Sequence, residues 1–324
     1  MGINSVKIFF NALLIALLII IFGCKPEELS APTNNIPEMS NVSSIGDSNK
    51  IEIVTWNIEH FPKADYTTEY VKAIIEGLDA DIYMLQEIQS RDKLATMLSE
   101  MDDYNYYLQT NSIGLNLAVI YNNAYINIKS TIELFTEDDE GYFASRPPLL
   151  VNLEWQNNGI KKDLSVINVH YKCCGDNVIS YVPDADGKWD DEYRRLKASE
   201  LLERYISDNL SDKNVIVAGD FNDAIDEVDS TNVFLPYIVK PSEYKFADMD
   251  IALGDAINWS WQGWSSSYPA IHFDHILINA NLFDELDNSG VVDVIKLEEY
   301  FNDGSSEYDK NVSDHRPVYL KFSP

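Results

Sequence analysis

Apolar residues are spaced along the chain in two ways that predict different elements. Short apolar runs predict buried strands, as in Val215–Ala218, which Gly219 ends before a polar stretch at residues 220–223. Apolar residues at helical spacing, within residues 70–78 and 192–209, predict helices that pack by one face. Strands outnumber helices and hairpin-like pairs mix with βα units. The pattern therefore predicts an α/β fold with two packed mixed sheets and helices outside.

Polar side chains recur at the ends of the predicted strands or beside them. They are Asn57, Glu59, Glu87, Asn168, His170, Asp220, Asn222, Asp274, Asp314 and His315. Taken singly, each fits a turn residue or a structural histidine as well as a functional group. If the strand ends converge, at least four carboxylates share a small space and raise one another's pKa. A divalent cation removes that conflict, and because the ligands are oxygens, Mg²⁺ or Mn²⁺ is favoured over a thiolate-type zinc site.

Composition bounds the number of domains and the class of partner. The chain has 324 residues, of which 45% are apolar, and no second composition regime follows residue 50, which predicts one catalytic domain over residues 50–324. Lys and Arg number 24 against 53 Asp and Glu, a formal charge of -29. That charge disfavours a duplex binder with a basic groove, although a metal site can offset the repulsion locally. The three cysteines, Cys24, Cys173 and Cys174, form neither a disulfide framework nor a zinc-ligand spacing.

The N-terminus carries an apolar run at residues 8–22, preceded by Lys7 and followed by Gly23-Cys24. The length of the run fits a secretory signal better than a membrane span. Its end resembles the lipobox of bacterial lipoproteins, which implies a signal peptide over residues 1–24 and lipidation of Cys24; an uncleaved signal anchor is the alternative. Residues 25–49 are rich in Pro, Ser, Asn and Glu and predict a disordered tether. Both alternatives predict an enzyme attached to the membrane of the bacterial cell envelope, outside the cytoplasm.

Six short motifs follow one another along the globular part. They are Trp56-Asn57-Ile58-Glu59, Leu85-Gln86-Glu87, Asn168-Val169-His170, Gly219-Asp220-Phe221-Asn222, Asp274-His275-Ile276-Leu277 and Ser313-Asp314-His315-Arg316-Pro317. In this order they resemble the endonuclease/exonuclease/phosphatase superfamily, which includes the deoxyribonuclease I-like nucleases. The resemblance covers residues 51–323 and implies a four-layer α/β/β/α sandwich with Mg²⁺-dependent hydrolysis of phosphoesters.

The resemblance also implies a role for each matching residue. The metal would be held by Asn57, Glu87 and Asp314. Asp220 would orient or deprotonate the attacking water, and His315, with its tautomer fixed by Asp274, would act on the phosphoryl group. The remaining contacts to phosphate and substrate fall to Arg146, Asn168, His170 and Asn222. These residue types suit phosphoryl transfer, which needs positioning and charge stabilisation more than covalent help.

The surroundings of His170 depart from the family pattern or leave alternatives open. Residues 113–118 contain no acidic side chain to support His170, so another partner is expected. Cys173 and Cys174 form either a strained vicinal disulfide or two free thiols. The acidic residues at 184, 186, 190 and 191 lack the spacing of a calcium-binding loop and predict solvated surface.

The favoured function is that of a nuclease or phosphodiesterase acting on nucleic acid or nucleotides. A sphingomyelinase-like enzyme would need an exposed apolar hairpin, and the sequence has no long apolar loop. A sugar or inositol phosphatase is disfavoured because the negative charge repels polyanions. A non-catalytic binding module is disfavoured because Glu87, Asp220, His170 and His315 are intact.

Overall fold

Alternating apolar residues build two packed sheets in the computed structural model, which describes residues 42–137, 141–263 and 265–324. The strands are β1 Ile51–Phe61, β2 Ile82–Ile88, β3 Tyr104–Leu108, β4 Asn116–Asn122, β5 Ile126–Glu133, β6 Leu149–Asn157, β7 Ile160–His170, β8 Val215–Asp220, β9 Tyr244–Phe246, β10 Asp274–Asn279, β11 Val291–Val294 and β12 Val318–Phe322. One sheet has the order β11-β12-β1-β2-β4-β3 and the other β5-β6-β7-β8-β10-β9. The pairs β1–β2 and β7–β8 are parallel and their neighbours antiparallel, so both sheets are mixed, as predicted.

Helices cover the outer face of each sheet. They are α1 Thr67–Leu78, α2 Arg91–Leu98, α3 Asp191–Asn209, α4 Leu235–Ile238, α5 Met249–Ala252, α6 Phe283–Ser289 and α7 Ser305–Asn311. Ile74 of α1 and Leu94 of α2 pack with Trp56 on the outside of the first sheet. Leu202 of α3 packs with Val217 on the outside of the second. The four-layer α/β/β/α sandwich expected from the sequence is therefore confirmed.

A third apolar cluster fills the space between the sheets. Ile51 and Ile53 of β1 meet Ile216 and Ala218 of β8 there. Because successive side chains of a strand point to opposite faces, the residues that alternate with these apolar ones point to the helices. Val54, which follows Ile53, is an example. The inter-sheet face of each strand is thus fixed by its apolar residues, and it leads directly to the polar strand ends.

The predicted tether ends earlier than residue 49. Val42 is buried in the core, and the Ile45 amide donates to the Leu78 carbonyl at 2.9 Å. Lys321 Nζ also donates to the Ile45 carbonyl at 3.0 Å. Residues 42–49 therefore belong to the folded domain, because their apolar and backbone groups find partners on it. The predicted signal peptide, Cys24 and the rest of the tether lie outside the described residues.

Residues 224–270 contain α4, β9 and α5, and β9 pairs with β10. Within the three described ranges, no helix combines the length and the apolar character that crossing a membrane requires.

Candidate active site

The register of the second sheet places three predicted site residues side by side. His170 at the end of parallel strand β7 is paired with Asp220 of β8, and Asp220 is paired with Asp274 of antiparallel strand β10. All three continue the inter-sheet face, since Ile216 and Ala218 precede Asp220 at even spacing. The same alternation on β1 brings Asn57 to the inter-sheet face from the first sheet. The amide of Asn57 donates to Asp220 Oδ2 at 2.9 Å and so joins the two sheets at the site.

Glu87 reaches the site because the backbone departs from strand alternation. Gln86 points between the sheets, where its Nε2 donates to Asn168 Oδ1 at 2.8 Å. The next side chain of a regular strand would point to the helices, but Glu87 has a left-handed φ of 63°. Its carboxylate instead accepts from Asn57 Nδ2 at 3.2 Å and from the His60 amide at 3.0 Å.

His315 and Asp274 form a hydrogen-bonded pair, with His315 Nδ1 2.7 Å from Asp274 Oδ2. The other ring nitrogen of His315 lies 4.0 Å from Asp220 Oδ2 and 3.8 Å from Asp314 Oδ1. Burial alone lowers the pKa of His315, but the carboxylates of Asp274, Asp220 and Asp314 outweigh it and hold the pKa well above its ordinary value. His315 is therefore an imidazolium at neutral pH, with Nε2 directed at the other site residues.

Asp220 is the most central carboxylate. Its Oδ2 lies 3.5 Å from His170 Nε2, and its Oδ1 accepts from the Asn222 amide at 2.9 Å. Burial raises the pKa of Asp220 to about 7, against the opposing effect of His315.

His170 is neutral, because burial and the nearby Arg146 hold its pKa well below the ordinary value. Arg146 Nη1 lies 3.2 Å from His170 Nε2, and Arg146 Nη2 donates to the Tyr171 carbonyl at 2.7 Å. Since a guanidinium can only donate, His170 Nε2 accepts and the ring proton is on Nδ1. No described residue is a hydrogen-bond partner of that Nδ1, so the partner expected in place of the missing acidic side chain is not found there. For His170 Nε2 to donate to phosphate, Arg146 would have to turn away from it and the ring proton would have to move from Nδ1 to Nε2.

Asn168 and Asn222, both predicted to contact the substrate, form hydrogen bonds within the protein. Asn168 is fully buried, and its Nδ2 donates to the carbonyls of Leu85 and Ala118 at 2.9 Å each. With Gln86 on its oxygen, the side chain is saturated and joins the two sheets, so the assignment of Asn168 to substrate binding is corrected. Asn222 Nδ2 donates to the Tyr171 carbonyl at 3.1 Å, which places this half-buried side chain at the edge of the site.

Asp314, a predicted metal ligand, is held by two residues that the sequence did not link to it, Trp261 and Glu59. Trp261 Nε1 donates to Asp314 Oδ2 at 2.9 Å, and the Asp314 amide donates to Glu59 Oε2 at 3.0 Å. Glu59 is also paired with Lys63, and burial with the Asp314 charge raises its pKa to about 7. The spacing of Asn57 and Glu59 was a signal for Glu59, whereas no pattern in the sequence links Trp261 to Asp314.

A buried hydrogen-bond network behind the strand ends was also missed. His275 Nδ1 lies 2.6 Å from Asp248 Oδ2, and His275 Nε2 lies 2.9 Å from the Asp223 carbonyl oxygen. Both acceptors require a ring N–H, so His275 is an imidazolium. Arg195 of α3 donates from Nε to Asp223 Oδ2 at 2.7 Å and from Nη1 to the Cys174 carbonyl at 2.6 Å. The network connects the loops that follow His170 and Asp220.

Cys173 and Cys174 are two free thiols whose sulfur atoms lie 2.7 Å apart.

The donor set fits a hard divalent cation. Asn57, Glu87 and Asp314 offer amide and carboxylate oxygens, which Mg²⁺ and Mn²⁺ prefer. Among the described residues, the ion-pair partners of Glu87 are His60 and His170, and no Lys or Arg pairs with it. A carboxylate that lies close to Asp220 and has no Lys or Arg partner among the described residues is suited to a metal.

Comparison with known proteins agrees with this geometry. A model of the endonuclease/exonuclease/phosphatase family matches residues 54–315. A search of curated proteins finds no match. Among solved structures, D. rerio TDP2 complexed with a single-strand DNA product is 14% identical with a TM-score of 0.58, over 85% of this chain and 99% of that chain. The catalytic domain of Xenopus laevis APE2 is 20% identical with a TM-score of 0.58, over 84% of this chain and 92% of that one. An endonuclease/exonuclease/phosphatase from Bacteroides vulgatus is 14% identical with a TM-score of 0.58, over 84% and 98% of the two chains.

Proposed function

Because the chain belongs to the endonuclease/exonuclease/phosphatase family, we propose that it hydrolyses phosphodiester bonds of nucleic acid or nucleotides with Mg²⁺ or Mn²⁺ as cofactor. The observation that carries the proposal is the convergence of Asn57, Glu87, His170, Asp220, Asp274, Asp314 and His315 at one end of the sandwich. Several carboxylates, one neutral imidazole and one imidazolium meet there, which is the set that in-line attack of water on a phosphodiester needs.

Each residue of this set has a task that follows from its contacts. Asp220 Oδ2 lies between the two histidine rings and is the acceptor that orients the attacking water and takes its proton. His315 holds a proton on Nε2 and donates it to a phosphoryl oxygen, while Asp274 fixes the proton on Nδ1. Arg146 stays a guanidinium and contributes positive charge beside His170. A cation held by Glu87, Asn57 and Asp314 would neutralise charge on the phosphate oxygens.

One aromatic side chain beside His315 favours a nucleotide over a simple phosphate. Phe273 is half-buried, with its ring centroid 6.4 Å from that of His315, and it packs on the buried Trp261 ring at a centroid distance of 5.5 Å. A partly exposed ring such as Phe273 can stack a base irrespective of sequence. The D. rerio TDP2 structure in complex with a single-strand DNA product supports a nucleic-acid substrate for this fold. The charge of -29 favours short or single-stranded substrates over long duplexes.

The proposed place of action is the bacterial cell envelope, outside the cytoplasm. The apolar run at residues 8–22 and the lipobox-like Gly23-Cys24 support this proposal. A lipid on Cys24 would anchor the chain to the membrane.

One substrate panel tests the proposal. Single-stranded oligonucleotide, supercoiled plasmid, bis-p-nitrophenyl phosphate, p-nitrophenyl phosphate and sphingomyelin are each incubated with Mg²⁺ or with EDTA. Hydrolysis of the oligonucleotide and the diester, abolished by Asp220→Asn, is the expected result. Preferential hydrolysis of the monoester would instead indicate a phosphatase, and preferential hydrolysis of sphingomyelin a lipid phosphodiesterase.

A further inference from the structure

The loop between β7 and α3, residues 171–190, ends beside carboxylates that the proposed reaction does not use. One carboxylate oxygen from each of Asp176, Asp190 and Glu192 lies within 4.8 Å of the other two. None of the three belongs to the groups formed by Glu87, His170 and Asp220 or by Asp220, Asp274 and His315. Calcium–oxygen distances are about 2.3–2.6 Å, so oxygens with this separation can contact one Ca²⁺ ion.

Glu192 supplies the observation that points to a ligand. Its side chain is 1% exposed, and its Oε1 accepts from the Asn177 amide at 2.6 Å. Within the described ranges, its Oε2 is buried without a hydrogen-bond partner. The loop backbone also closes over this carboxylate, since a Cβ atom added to Gly175 would lie 2.6 Å from Oε2. A buried carboxylate oxygen without a partner is destabilising unless a proton or a cation accompanies it.

The other two carboxylates are held toward Glu192 by the backbone. Asp190 Oδ2 accepts from the amides of Ser180 and Tyr193 at 3.2 and 3.0 Å. Asp176 Oδ1 accepts from the Val178 amide at 3.1 Å. These bonds occupy one oxygen of each carboxylate.

Nearby basic residues do not balance the three charges. Arg195 Nη2 lies 3.7 Å from Glu192 Oε1, but the same guanidinium donates to Asp223 at 2.7 Å and to the Cys174 carbonyl at 2.6 Å. Lys172 pairs with Asp191 instead, at 3.2 Å. Burial raises the pKa of Glu192 despite Arg195, so the carboxylate still lacks a full counter-charge.

We propose that Asp176, Asp190 and Glu192 bind a Ca²⁺ ion that ties the loop to the start of α3. Calcium fits better than magnesium because irregular sets of carboxylate and carbonyl oxygens suit its flexible coordination, whereas Mg²⁺ demands an octahedron. The expected dissociation constant is about 10⁻⁴–10⁻³ M, as for extracellular modules. Asp190 is one of the acidic residues, at 184, 186, 190 and 191, that were predicted to be solvated surface. The other two members of the proposed site, Asp176 and Glu192, were not part of that prediction.

The ion would also stabilise the loop 171–190 where it borders the proposed active site. The loop begins at Tyr171, whose carbonyl accepts from both Arg146 and Asn222. The site itself is separate from the catalytic residues, so its test does not depend on phosphodiester hydrolysis.

Terbium luminescence on the full chain tests the proposal, because Tb³⁺ replaces Ca²⁺ and Trp189, next to Asp190, can sensitise it. Wild type should give Tb³⁺ emission that disappears when Ca²⁺ displaces the Tb³⁺. Glu192→Gln should weaken the binding of both ions at least about tenfold. Asp186→Asn, an exposed carboxylate of the same loop, is the matched control and should change binding less than about twofold. Trp189→Phe should lose the emission yet keep Ca²⁺-dependent protection of residues 171–190 from protease.

Three outcomes would overturn the proposal. One is equal binding by Glu192→Gln and Asp186→Asn, and another is emission that Ca²⁺ fails to displace. The third is loss of the emission in Glu87→Gln, which would assign the ion to the catalytic centre. If Glu192→Gln fails to fold, Asp176→Asn at an exposed position gives the same test.

Discussion

His315 Nδ1 lies 2.7 Å from Asp274 Oδ2, although the two residues are 41 positions apart in the chain. The carboxylate holds the proton of His315 on Nδ1 and leaves Nε2 to face Asp220 at 4.0 Å. Both side chains are buried at the same end of the inter-sheet face. In the proposed reaction the pair would therefore act as one acid, with Asp274 as the residue that positions His315.

Replacing either member of this pair should have nearly the same kinetic effect. His315→Ala should lower kcat by about 10²–10⁴, the range of a positioned acid or base, and Asp274→Asn should do most of the same damage. The double variant should be little worse than His315→Ala, since residues that act as a unit are not additive. If Asp274→Asn lowers only the melting temperature and the kinetic effects multiply, Asp274 has a purely structural role.

Asn168 should matter for stability and not for chemistry. Asn168→Ala removes the buried donor to the carbonyls of Leu85 and Ala118 and one of the three acceptors of Gln86 Nε2, at a cost of about 2 kcal/mol of unfolding free energy. The kcat of the folded fraction should fall less than about threefold. His170→Ala, two residues along the same strand, is the control and should show the reverse pattern. A large loss of kcat in stable Asn168→Ala would restore a role for Asn168 in substrate binding.

Glu52 should make the domain less stable as pH rises. Burial, with a smaller contribution from Asp81, raises the pKa of Glu52 to about 9 from an ordinary 4.5. Between these two values the folded state keeps a proton that the unfolded chain has lost, so unfolding free energy falls as pH increases. Glu52→Gln keeps the uncharged shape and should be more stable than wild type at pH 8 but similar at pH 4.

Urea unfolding at the two pH values measures this difference. Glu76→Gln, at an exposed position of α1, should behave like wild type at both. A Glu52→Gln variant that is less stable than wild type at pH 8 would mean that the ionised carboxylate is stabilising.

Cys24 should determine membrane attachment. Cys24→Ser should release the chain from the membrane fraction or leave an unprocessed precursor, because the residue proposed to carry the lipid is gone. Fractionation with mass measurement of the N-terminus follows both outcomes. Unchanged attachment with normal cleavage would contradict the lipoprotein hypothesis.

The layered fold and most of the site were predictable because both follow from strand alternation. The apolar residues of β8 fix which face looks inward, and that face brings Asp220 between His170 and Asp274 once the strands pair. The order of the motifs then identified the family. Similar reasoning misassigned Asn168, because a polar residue at the correct spacing can equally end in a saturated interior position.

Contacts that depend on irregular backbone or on distant segments were not predictable. Glu87 enters the site through a left-handed backbone that strand alternation does not foresee. Trp261 reaches Asp314 across 53 positions, and Arg195 reaches Asp223 across 28, from segments whose local sequence shows no functional pattern. The packing of residues 42–49 was missed because a polar composition suggested disorder, while Val42 has an apolar partner on the domain.

The role of a metal at Glu87 is tested by the rate of bis-p-nitrophenyl phosphate hydrolysis, measured against Mg²⁺ concentration for wild type and Glu87→Gln. Wild type should be inactive in EDTA and saturate with Mg²⁺. Glu87→Gln should need at least about tenfold more Mg²⁺ and recover only part of the wild-type rate, because a main oxygen ligand has lost its charge. Full wild-type activity in EDTA, or a Glu87→Gln profile that overlays wild type, would contradict a metal-assisted phosphodiesterase centred on these residues.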